Sequence, residues 1–264
     1  MVLPPVSPGM SADIGGPDGH SYGAVLLRSE ASHPIAASGA DAAPDVAGIL
    51  HGLRFSGWVA PPDRGWTVIL GDPGAGVVAR GRRGIVEVAG AIAAAVAGPV
   101  VAVQVRRDRQ LGIVAWLDGV EIARYCSDPS VEPGADREVL SDPVGEDDAE
   151  ALATALGRSA AAEDLRALLA EELDPDSVFE SERLRSVLRV MGMPEWLVAA
   201  GSLPHDIPTG PRAAELTRLR AGETGPAALA AHGLIKKGRR RHAPPPIIDD
   251  PPRQNDGGMD PWLL

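Results

Sequence analysis

Apolar residues recur in two rhythms along this chain of 264 residues. Between residues 46 and 128 the runs are short and mostly strand-like; beyond residue 148 the spacing turns helical. "LRFSGWVAPP" predicts a strand closed by Pro61-Pro62. "GWTVILGD" predicts another, with Trp66, Val68 and Leu70 on one face and Thr67 and Ile69 on the other. After the turn "DPGAG", Ile85, Val88, Ile92 and Val96 fall three or four residues apart and share one face of a helix. Gly98 and Pro99 stop that helix. "PVVAVQVR" is apolar on both faces, the mark of a central strand. Two hairpins follow, one across "RDRQ" and one across Asp118-Gly119, a two-residue turn that needs positive φ. Residues 46–128 are therefore expected to form an α+β unit. Its antiparallel or mixed sheet has about five strands, with one packed helix.

The flanks read differently. Residues 1–45 are rich in Pro, Gly, Ser, Ala and Asp and predict a flexible arm, with one short strand possible in "HSYGAVLLRSEA". Residues 129–148 read as an acidic linker and 149–235 as an α-helical region. In that region "SVFESERLRSVLRVMG" has Ser177 and Glu180 at capping-box spacing and stops at Gly192. "MPEWLVAAG" predicts a short helix, and "GPRAAELTRLRAG" and "GPAALAAHGLI" predict helices opened by proline. Residues 236–264 read as a disordered basic and Pro-rich tail.

Composition narrows the function classes. Cys126 is the only cysteine, which excludes an intramolecular disulfide and a zinc site of the Cys-pair type. The N-terminus lacks the basic and apolar regions of a secretory signal, and the longest uncharged run is alanine-rich and split by Gly98-Pro99. A cytoplasmic protein without a membrane span is expected. The net charge is −11, concentrated in residues 129–182, which hold 3 basic and 16 acidic side chains. That balance makes nucleic acid an unexpected partner, despite the basic run "KKGRRRH".

Candidate chemistry is sparse. Gly71 and Gly76 have the glycine spacing of a Walker A loop, but Val77 and Val78 stand where Lys and Ser/Thr are required. Gly74-Ala75-Gly76-Val77-Val78-Ala79 matches G-x-G-x-x-A after a strand, yet the predicted helix starts too late to present its amides. The hairpins that follow also break a doubly wound order. Gly71, Gly74 and Gly76 are read as positive-φ turn residues. There is no nucleophile elbow and no close histidine pair, so no cofactor and no metal is called for. Cys126 needs His51 or His205 beside it to act as a nucleophile. In "RRDR" at a hairpin tip, three guanidiniums, Arg106, Arg107 and Arg109, surround one carboxylate, Asp108, and offer a place for an anion. Trp116 and Tyr125 on adjacent strands, with Asp128 after them, are candidates for a shallow surface at the sheet edge. Trp262, in "MDPWLL", is a candidate anchor on a mobile arm.

The hairpin "VVAVQVRRDRQLGIVAWLDGVEIARYCSDP" together with "LPHDIPTGP" resembles uncharacterised bacterial proteins of unknown function, a resemblance that implies no activity. The pairs Gly57-Trp58 and Gly65-Trp66 are similar to those of immunity proteins of the SUKH type, which implies an α+β fold and an acidic surface. The sequence thus points to a non-catalytic binding protein, of which an adaptor or immunity-like role is one form, that meets a protein partner through its C-terminal tail or sheet edge. The alternative is an enzyme for a small molecule or nucleotide, with its site near the Gly71–Gly76 turn. That site would draw on Asp72, Arg106, Asp108, Asp128 or His205.

Overall fold

A computed structural model describes residues 20–28, 46–129, 142–171 and 179–225. Seven strands form one sheet: β1 (Tyr22–Arg28), β2 (Gly57–Val59), β3 (Trp66–Gly71), β4 (Pro99–Arg106), β5 (Gln110–Leu117), β6 (Val120–Cys126) and β7 (Thr217–Leu219). Their spatial order is β6-β5-β4-β1-β3-β2-β7, and every pairing is antiparallel. The fold class is α+β as expected, with more strands and more packed helices than the sequence pattern indicated.

The sheet is buried on both faces because its strands alternate two apolar sets. Val25, Leu27, Ile69, Val100, Ala102 and Val114 face one layer, made of α1 (Val46–Gly52) and α2 (Ile85–Ala93). Ala24, Leu26, Val68, Leu70, Val101 and Val103 face the other. That second layer holds α3 (Ala149–Ala155), α4 (Ala162–Ala170), α5 (Glu180–Met191) and a 3-10 segment, Glu195–Ser202. The helical region therefore packs its leucines directly on the sheet and shares one core with it. Each large aliphatic side chain fully buried in these two layers contributes about 2 kcal/mol.

β1 occupies the middle of the sheet. It pairs with β4 from Tyr22↔Val105 to Leu27↔Val100 and with β3 from Ala24↔Leu70 to Arg28↔Trp66. β3 and β4 run parallel to each other on either side of it, and α2 makes the crossover between them. Gly23 in β1 sits where a Cβ would come within 2.8 Å of Ile85 Cγ2, so the strand passes close under the start of α2.

Several turns follow their sequence cues. Asp118 and Gly119 have φ of 50° and 82°, the two left-handed positions of the β5–β6 turn. Gly192 closes α5 at φ 68°, with Met193 N–H donating to Leu188 O at 2.8 Å. The run "GPRAAELTRLRAG" departs from expectation. It makes one 3-10 turn, Ala213–Glu215, and then β7. Leu219 enters the α1/α2 layer and Arg218 lies over the Trp58 ring at 3.7 Å, so long-range pairing with β2 overrides local helix propensity. Ser177, residues 226–235 of "GPAALAAHGLI" and Trp262 lie outside the described residues.

Candidate functional site

A cleft of about 480 Å³ opens at one end of the sheet. One wall is the glycine-rich turn after β3, with Asp72, Gly74, Ala75 and Gly76. The other is the β4–β5 hairpin, with Arg106, Arg107 and Arg109. Gly23, Gly71, Val78 and Ile85 supply an apolar floor. The volume falls within the range of about 300–1,000 Å³ usual for small-molecule sites.

The walls are separate in sequence and tied together by Ser21. Its hydroxyl accepts from Arg107 N–H at 2.9 Å, and its carbonyl accepts from Gly74 N–H at 2.7 Å. One residue just before β1 thus fixes the gap between hairpin and turn. In the turn, Gly74 alone among its three glycines has positive φ, at 71°. Gly71 has another reason to be glycine: a Cβ there would stand 2.8 Å from Val78 Cγ1. The expected positive-φ role for Gly71 and Gly76 is therefore corrected.

Two amides of the turn are already engaged within the protein. Gly74 N–H is spent on Ser21, and Ala75 N–H donates to Asp72 O at 3.1 Å. At the start of α2, Gly84 N–H donates to the Glu87 carboxylate at 2.9 Å, so a negative group already sits there. Positive charge comes from the hairpin instead. Arg106 donates to Gln110 Oε1 at 3.2 Å and to Gln104 Oε1 at 3.5 Å, which holds it along the sheet. Arg107 and Arg109 are exposed at the tip.

Asp108 points the hairpin. Its carboxylate accepts from Ser181 N–H at 2.7 Å and its carbonyl from Glu180 N–H at 3.2 Å, so it caps α5 from a distant part of the chain. Arg107 and Asp108 both have left-handed φ, 52° and 57°, which costs about 1 kcal/mol or more each. Bonds to Ser21, to His20 O and to α5 hold them there.

Other sequence candidates lie elsewhere. Trp116 and Tyr125 do not share an edge surface. Trp116 is buried in the α1/α2 layer and Tyr125 in the opposite one, because residues an odd number of steps from facing partners project to opposite sides. Tyr125 hydroxyl donates to Leu169 O at 2.9 Å and accepts from Arg183, and burial pushes its ionisation well above the usual range for tyrosine. The Asp128 carbonyl accepts from Gln110 Nε2 at 2.7 Å. His205 Nδ1 lies 3.1 Å from Ser202 O, and Asp206 accepts from Ala213 N–H at 2.7 Å, so the two neighbours serve separate turns. His51 pairs with Glu223 at 3.3 Å. Among the described residues no group of three metal-ligating side chains gathers, and no helix is long and apolar enough to cross a membrane.

The cleft thus brings together Asp72, Arg106, Arg107 and Arg109 of the sequence candidates, and adds Ser21. Asp72 is bonded to Arg218 of β7. Sequence reasoning set Ser21 aside with the arm; its only signal was its place before the apolar run "YGAVLL". A second polar group, Glu180 with Arg183, was also missed. Both are buried beneath the β5–β6 hairpin, with Glu180 Oε2 3.5 Å from Arg183 Nε. No family model, no curated protein and no solved structure matches this chain.

Proposed function

We propose that this is a binding protein whose cleft takes a small anionic ligand. The observation that carries the reading is the meeting of Arg106, Arg107 and Arg109 on one wall of a single cleft in a chain of net charge −11. Three guanidiniums reverse the sign of the field locally, and their planar forks match the oxygens of a phosphate or carboxylate. The reading joins both sequence-based expectations: recognition without chemistry, at the place where an enzyme site was the alternative. Binding is favoured over catalysis by the state of the nearby carboxylates. Asp72 is engaged by Arg218, and Asp108 by the first turn of α5, so neither is poised as a general base.

Titration calorimetry with inorganic pyrophosphate tests this. Wild type is expected to bind, and the double substitution Arg107→Ala/Arg109→Ala to weaken binding at least tenfold without lowering the melting temperature. Affinity should fall as salt rises, because two exposed guanidiniums carry much of it. Equal binding by wild type and variant would refute the assignment.

A further inference from the structure

The two walls of the cleft carry opposite charge, and this bears on what the ligand is. The hairpin wall offers three arginines; the turn wall offers one carboxylate, Asp72. Asp72 Oδ1 is bonded to Arg218, whose guanidinium lies over Trp58 and is itself held by that stack. A carboxylate has about four lone-pair sites, so beyond its bond to Arg218 it can accept further hydrogen bonds.

We infer that the ligand is a phosphate ester of a hydroxylated molecule, its phosphate on Arg106, Arg107 and Arg109 and a hydroxyl donated to Asp72. This rests on the anion-binding reading above and narrows it. Three guanidiniums present more donors than the two oxygens of a carboxylate can use, whereas a terminal phosphate has three oxygens to receive them. The group meeting Asp72 must be a donor, because an acceptor would face the lone pairs of its carboxylate oxygens. It must also be neutral. Among the lining residues three arginines stand against one aspartate, so the surroundings are cationic, which disfavours an ammonium group. A hydroxyl meets both conditions. The apolar floor at Gly23, Gly71, Val78 and Ile85 accommodates the carbon skeleton between the two ends.

Three probes separate the parts of this claim by calorimetry: inorganic phosphate, n-pentyl phosphate and ribose 5-phosphate. Wild type is expected to bind ribose 5-phosphate at least tenfold more tightly than pentyl phosphate. Asp72→Ala should bring those two within about twofold of each other and leave inorganic phosphate binding unchanged or tighter. Arg218→Met removes the ion pair but keeps the carboxylate, and should retain the preference for ribose 5-phosphate. That variant distinguishes a direct contact by Asp72 from a loss of local structure. If pentyl phosphate binds as well as ribose 5-phosphate to wild type, the hydroxyl contact is refuted while the anion site stands. If Asp72→Ala keeps the preference, Asp72 is not its source and the inference fails. If none of the three phosphates binds, the anion site itself falls.

Discussion

Glu180 shows how one residue can set a pH response. It is fully buried, and its carboxylate meets Ser127 and Arg183, with Arg183 Nε 3.5 Å from Oε2. Burial raises its pKa above the usual 4.5; the Ser127 hydrogen bond and the Arg183 charge only partly offset this, and the carboxylates of Asp108 and Asp128 push the same way as burial. A raised carboxylate favours the folded state when protonated. Its contribution is full below about pH 4.5 and is lost as pH rises through the higher folded value. Glu180→Gln should therefore flatten the loss of stability with rising pH across that window. Chemical denaturation at a series of pH values checks this, and an unchanged slope contradicts it. Arg183 donates to Tyr125, to Leu169 O at 3.4 Å and to Glu171 O at 2.6 Å. Its replacement by Ala strands those groups together with Glu180 and should cost about 3 kcal/mol by the same assay.

At the scale of elements, the β4–β5 hairpin is the working part and its neighbours aim it. Asp108 caps α5, and Ser21 joins the hairpin to the glycine turn. Asp108→Ala loses a cap and places a β-carbon residue without a local acceptor at positive φ, so it should cost about 1–2 kcal/mol. Asp108→Asn keeps an acceptor and tolerates the left-handed conformation, and should stay within about 0.5 kcal/mol of wild type. Thermal unfolding distinguishes the two. Ser21→Ala removes the acceptor for Arg107 N–H and should weaken pyrophosphate binding several-fold, with a stability loss of about 1 kcal/mol or less. Loss of binding matched by loss of fold would instead make Ser21 a purely structural residue.

Elements with a strong local pattern were legible in the sequence. α2 was visible in the spacing of Ile85, Val88 and Ile92, and β4 in its doubly apolar run. The Asp118-Gly119 turn followed from backbone chemistry alone. β7 was not legible, because Thr217–Leu219 becomes a strand only by pairing with β2. The central place of β1 was hidden for a like reason: its apolar run shows a strand, while its register depends on two partners some tens of residues away. The site was half visible. "RDR" and the glycine turn were each conspicuous, but nothing in either segment says that Ser21 brings them to one cleft.

At the scale of the whole molecule, sheet and helical layers share cores that run through the described residues. Leu165, Leu184 and Leu188 pack in the same cluster as Val101 and Ile113, and β1 lies between β3 and β4. Residues 46–128 expressed alone lack that strand and one whole layer. They should give no cooperative thermal transition, whereas residues 20–225 should unfold in a single one. Two separated transitions in the longer fragment would contradict a common core.

The central claim is that anions bind between the hairpin and the glycine turn. Backbone-amide NMR of the full chain, titrated with inorganic pyrophosphate, tests it most directly because it reports position as well as binding. The account predicts saturable shifts concentrated at Ser21 to Gly23, Gly71 to Gly76 and Arg106 to Arg109, absent in Arg107→Ala/Arg109→Ala. Saturable shifts centred elsewhere, or none at those residues, would contradict it.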